Sequence, residues 1–160
     1  MGTLKTGEID LNDIQVVRRL LDGLRSVVKG SSSYYDLKFK PQYYMETPGG
    51  CPPEEAGWYV ILEANNPLYV GKADDLAARL NSSQGSTDNF AKAARDSDPE
   101  RNMIKKFDEA GLFQHLRVCV ITEHQLLRTL NVDRRMVSDL DRGNIEKLLN
   151  IFRSAMTFNA

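Results

Sequence analysis

The chain reads as an α+β fold, a small three-stranded, mostly antiparallel sheet flanked by helices, with an N-terminal helical extension. Three observations carry that expectation. Two short apolar runs, Trp58-Tyr59-Val60-Ile61-Leu62 and Leu68-Tyr69-Val70, are joined by Glu63-Ala64-Asn65-Asn66-Pro67, where Asn-Asn-Pro is turn chemistry between strand-forming residues. A third run, His115 to Thr122, is apolar almost throughout, as a central strand is. Around these runs, apolar residues recur at helical spacing.

Taken in order, residues 1 to 8 read as irregular. Asp10 or Asn12 caps a helix running to about Lys29, with Ile14, Val17, Leu20, Leu21, Leu24 and Val28 on one face, and Gly30-Ser31-Ser32-Ser33 ends it. Such a stripe must be covered in water. The expectation is that this helix docks on the rest of the chain; a second copy is the other available cover, so a homodimer stays open. Residues 34 to 48 alternate poorly and hold Tyr34-Tyr35 and Tyr43-Tyr44 around Phe39 and Pro41. They read as a packed surface extension, although tyrosines among lysines also stack on single-stranded bases. Residues 1–50 therefore form the extension and residues 51–160 the main domain.

Past the hairpin, Gly71 ends the second strand. Ala73 to Leu80 has helical spacing at Leu76, Ala77 and Leu80, with acids in its first turn. A polar loop over 81–86 leads to a short helix over Thr87 to Arg95. Asp98-Pro99 starts another helix, which Gly111 ends. Residues 123 to 140 read as helical with a break at Asn131-Val132-Asp133. A last helix over about Asn144 to Met156 buries Ile145, Leu148, Leu149 and Phe152.

Composition bounds the function classes. With 41% hydrophobic and 27% charged residues the chain is ordinary for a globular protein. No apolar run reaches membrane-spanning length, and no basic-then-apolar leader opens it. The 2 cysteines, Cys51 in a Gly-Gly-Cys-Pro-Pro loop and Cys119 in an apolar run, suit a reduced, cytoplasmic setting and have no partner at metal-ligand spacing. There is no P-loop or dinucleotide fingerprint. A net charge of −1 shows no dedicated basic surface, so any phosphate-binding face must be assembled by folding.

Gly57-Trp58-Tyr59 and Tyr69-Val70-Gly71, followed by Lys72-Ala73 and by Arg79-Leu80, together resemble the two elements of the GIY-YIG nuclease superfamily, and in particular the nuclease subunit of bacterial excision repair. The family also carries a glutamate on a late helix and an asparagine beyond it, matched here by Glu146 in Gly143-Asn144-Ile145-Glu146-Lys147 and by Asn159. The resemblance spans roughly residues 56 to 159. It implies a metal-dependent endonuclease acting on nucleic acid, foremost DNA. Glu146 would hold a single Mg2+ or Mn2+ ion. Arg79 would pair with non-bridging phosphate oxygens, its alternative partner being Asp75 on the same helix. Tyr59 would accept the proton of the attacking water or position that water, and Tyr69 would orient substrate or metal-bound water. Lys72 and the metal would favour a phenolate unless the metal activates water itself, and Asn159 would brace the cleft. A phenol near its ordinary pKa of about 10 needs such help at neutral pH.

Two positions depart from the pattern. Ser83 stands where a histidine or tyrosine is usual, one turn after the arginine, and Trp58 replaces an aliphatic residue. Neither His115 nor His124 replaces the missing ring by spacing. The competing expectation is a non-catalytic nucleic-acid-binding or protein-interaction module that keeps the nuclease fold.

Overall fold

The computed structural model describes residues 10–29, 34–40, 44–81, 106, 108–111, 115–131 and 138–158. Its elements are α1 (Ile14–Val28), β1 (Tyr34–Asp36), β2 (Lys38–Lys40), β3 (Tyr44–Glu46), β4 (Gly57–Glu63), β5 (Asn66–Ala73), α2 (Leu76–Leu80), β6 (Leu116–Thr122), α3 (Glu123–Leu130) and α4 (Asp139–Phe152), the last running into a 3-10 turn, Arg153–Ala155. The helices expected over Thr87 to Arg95 and from Asp98-Pro99 lie outside the described residues, apart from the tail of the second. There Lys106, Asp108 and Glu109 are helical, and Gly111, at φ 80°, follows them.

The main sheet has four strands in the order β1-β6-β4-β5, with every neighbouring pair antiparallel. The strand beyond the expected three is β1, supplied by the N-terminal extension. Three residues are too few to show alternation, but without Tyr34–Asp36 the outer edge of β6 would present unpaired N–H and C=O groups. A separate ribbon pairs β2 with β3, Phe39 facing Met45.

The hairpin is tighter than the five-residue link in the sequence suggests. Glu63 pairs with Asn66, leaving Ala64 and Asn65 to turn, and Ala64 takes φ 54°. Ile61 faces Tyr69 while Leu62 faces Pro67, so Leu68 is the extra residue of a bulge. Pro67 is tolerated because β5 is an edge strand.

Alternation along β4 splits the interior into two layers. Trp58, Val60 and Leu62 join Val70, Cys119 and Ile121 under α1, α3 and α4, which contribute Leu20, Leu24, Leu126, Leu130, Ile145, Leu148 and Leu149. Tyr59 and Ile61 join Ala73, Val118, Val120 and Leu37, covered by Leu76 and Leu80 of α2 and by Met45 of β3. Most of the stripe of α1 is thus spent inside the molecule, with Leu20, Leu24 and Val28 fully buried and Val17 and Leu21 packed against them, whereas Ile14 at its start is 61% exposed.

Caps set the helix ends. Asp13, rather than Asp10 or Asn12, caps α1, its carboxylate accepting from the Gln15 N–H at 3.0 Å. Thr122 and Gln125 form a reciprocal capping box on α3, and Asn131 ends that helix in the left-handed region, where the break is expected. The final helix begins at Asp139 under a Ser138 cap, earlier than the expected Asn144. No helix among the described residues is long and apolar enough to cross a membrane.

Candidate functional site

Tyr59 and Gly71 are register partners on β4 and β5, and Tyr69 is the diagonal neighbour of Tyr59 on the same face of the sheet. The two rings lie 6.2 Å apart, tilted by 41°. Tyr59 is fully buried and lies over Gly71: a Cβ at position 71 would stand 2.3 Å from its Cζ and 2.4 Å from its hydroxyl. That hydroxyl has no hydrogen-bond partner among the described residues. Tyr69 is half-buried, so of the two rings it is the one that reaches solvent. Gly57 is held as tightly: a Cβ there would meet the Ile121 carbonyl oxygen at 2.2 Å.

The short helix α2 packs on this same face through Leu76 and Leu80. Asp75 caps it, its carboxylate accepting from the Ala78 N–H at 3.2 Å. Asp75 is therefore not the partner of Arg79, which is half-buried and has no ion pair among the described residues. At the far end of the helix, Asn81 accepts from the Thr47 backbone N–H at 2.9 Å and donates to the Thr47 hydroxyl at 2.9 Å, locking α2 to the chain after β3.

Lys72 pairs with Trp58, so it lies on the face opposite the tyrosine pair and is not beside the Tyr59 hydroxyl. It is exposed and extends towards α4, its Nζ 3.9 Å from where a Cβ on Gly143 would be. Glu146 follows one turn later on α4, half-buried. Its backbone carbonyl accepts from Asn150 at 3.3 Å, and Asn150 in turn accepts from Arg153 at 2.9 Å. The Glu146 carboxylate has no ion pair or hydrogen bond among the described residues, and none joins it to Tyr59, Tyr69, Lys72 or Arg79. The expected set is therefore distributed around β5: Tyr59, Tyr69 and Arg79 in the α2 layer, Lys72 and Glu146 in the α4 layer. Asn159 and Ser83 lie outside the described residues. His115 and His124 are exposed at opposite ends of β6 and do not enter the site.

Sequence reasoning missed Arg142. Its guanidinium donates to Glu123 at 2.5 Å and lies within 3.4 Å of Asp74 and 3.3 Å of Asp139. Its backbone carbonyl accepts from the Trp58 indole N–H at 3.0 Å. One side chain thereby ties the start of α4 to α3 and to the β5–α2 junction. The Glu123 hydrogen bond raises its pKa further above the ordinary arginine value, against the opposing effect of burial. Only Asp139, one turn away on the same helix, is a partner that spacing reveals.

Among the described residues no group of three or more histidines, cysteines or acids could hold a metal ion, and Glu146 offers a single carboxylate. Comparison with protein-family models, with curated proteins and with solved structures finds no match to this chain.

Proposed function

We propose that the chain is a divalent-metal-dependent endonuclease of the GIY-YIG type, hydrolysing DNA phosphodiester bonds. The observation that carries this reading is the Tyr59 hydroxyl, buried over Gly71 and beside Tyr69 with no partner among the described residues. An orphaned buried hydroxyl costs about 1–3 kcal/mol, and functional sites are where such a cost is retained. Arg79, uncommitted to Asp75, is available to non-bridging phosphate oxygens, for which a planar guanidinium is suited. Glu146 fits a magnesium or manganese ion, because a small hard cation takes one or two protein carboxylates and keeps several waters. Such an ion supplies charge stabilisation on the scissile phosphate. Hydrolysis forms one phosphorus–oxygen bond from water and breaks another; Tyr59 would position the water, whose proton ends on the departing oxygen.

One observation favours the second reading, a module that keeps the fold and binds without cutting: Tyr59 is 0% exposed, so in this conformation no water reaches its oxygen. The two readings separate on turnover. Purified protein is incubated with plasmid, single-stranded and branched DNA in the presence of magnesium or manganese. The nuclease reading expects metal-dependent cutting that Glu146→Ala removes while the thermal midpoint is retained. Cutting that survives this substitution, or salt-sensitive binding with no cutting of any substrate, rejects it.

A further inference from the structure

We infer that a recess at the β1 end of the sheet binds one unpaired nucleobase by its amino-bearing edge; the expectation of a nucleic acid rests on the reading above. The recess has a volume of about 210 Å³ and is lined by Tyr34, Tyr35, Asp36, Gly49 and Arg117. It is smaller than sites for drug-sized ligands, which begin at roughly 300 Å³. A single planar ring system is the matching size.

Its chemistry follows from the register. Asp36 faces Arg117 and Tyr34 faces Cys119, so Tyr34, Asp36 and Arg117 share one face of the sheet. An aspartate directly opposite an arginine ordinarily pairs with it. Here the guanidinium instead lies over the Tyr34 ring, 5.1 Å from its centroid, and donates to the Asn65 side chain at 2.9 Å. Tyr34 is pinned from behind by its hydroxyl, which donates to the Val28 carbonyl. The result is a preassembled stack of ring and guanidinium beside a carboxylate that has no hydrogen bond or ion pair among the described residues.

Unstacked bases are held in this way, lying on an aromatic or guanidinium plane with their edges hydrogen-bonded. A carboxylate only accepts, so it selects edges that donate. Guanine presents two adjacent donors, its ring N–H and its amino group, which match both oxygens of Asp36. Thymine has no amino group, and hypoxanthine lacks the one guanine carries. The net charge of −1 suits recognition through the base rather than through phosphate. Tyr34, Asp36 and Arg117 share the face of Cys119 and Leu62, opposite that of the tyrosine pair and three strands away from β5, so a base held here does not touch a phosphate bound there.

The test is fluorescence anisotropy in EDTA, using labelled single-stranded oligonucleotides that differ only in a central guanine, inosine or thymine. Wild type should bind the guanine strand about tenfold tighter than the other two, the discrimination of one good bidentate contact. Asp36→Asn should erase that preference with an unchanged thermal midpoint, since Asp36 is exposed and has no partner among the described residues. Equal affinity for the three strands, a preference that survives Asp36→Asn, or no binding of any strand overturns the inference. Cleavage assays on the same proteins keep the two readings apart. Metal-dependent cutting with no base preference sinks only the pocket, and base preference with no cutting sinks only the nuclease.

Discussion

Tyr59 occupies the space that a side chain at Gly71 would need, and its hydroxyl finds no partner there among the described residues. Tyr59→Phe removes the orphaned group and keeps the ring. The expected result is a gain of about 1 kcal/mol in stability, measured by urea denaturation, together with loss of any cleavage activity. A variant less stable than wild type would show that the hydroxyl is bonded after all.

Arg142 and Glu123 form the most enclosed ion pair among the described residues, with side chains 15% and 12% exposed. Arg142→Gln leaves the Glu123 carboxylate without its cation and should cost about 3 kcal/mol. Asp139→Ala, at a carboxylate 93% exposed, should change stability by no more than about 0.5 kcal/mol. Equal effects for the two substitutions would contradict the assignment of Arg142 as the tie between α3 and α4.

Burial pushes the Cys119 thiol from its ordinary 9.0 up to about 12, whereas Cys51 is exposed. A thiol reagent at pH 8 should label Cys51 alone in the native protein and both thiols in denaturant. The folded state holds the Cys119 proton more tightly than the unfolded state, so this group's contribution to stability is complete below about pH 9 and falls away as pH rises towards about 12. Replacing Cys119 with alanine should flatten that part of the stability–pH profile. An unchanged slope would show that the thiol is not its source.

Ala64 turns the β4–β5 hairpin at φ 54°, a conformation that suits glycine and strains an L-residue. Ala64→Gly should raise stability by about 0.5 kcal/mol, the relief of strain exceeding the added backbone entropy. A lower thermal midpoint would mean that the turn is not strained.

The hairpin, β6 and the buried stripe of α1 were legible because each combines a long apolar pattern with turn or cap chemistry at its ends. β1 was not: Tyr34-Tyr35-Asp36 becomes a strand only because β6 has an edge to fill. The start of α4 was hidden for a related reason. Asp139-Leu140-Asp141-Arg142 carries little apolar signal, and the Ser138 hydroxyl that fixes the boundary is a single residue. Within the site, the sequence put one tyrosine on each strand, but it is the bulge at Leu68 that brings Tyr59 and Tyr69 to one face, and Lys72, expected to favour a phenolate, falls on the other. Spacing could not find Arg142, whose three carboxylates come from α3, α4 and the β5–α2 junction. Nor could it show that Asp75 is engaged as a helix cap and that Arg79 makes no ion pair among the described residues.

The pairing of β1 with β6 also sets an order on synthesis. Tyr34 finds Cys119 and Leu20 finds its covering layer only after most of the chain has left the ribosome. The β4–β5 hairpin closes through a two-residue turn and can form as it emerges, whereas β1 must wait through a long and entropically costly loop closure. Nascent chains that stop before β6 therefore carry an uncovered apolar helix and an unpaired strand. Such fragments should be substrates for chaperones and proteases rather than smaller folded proteins.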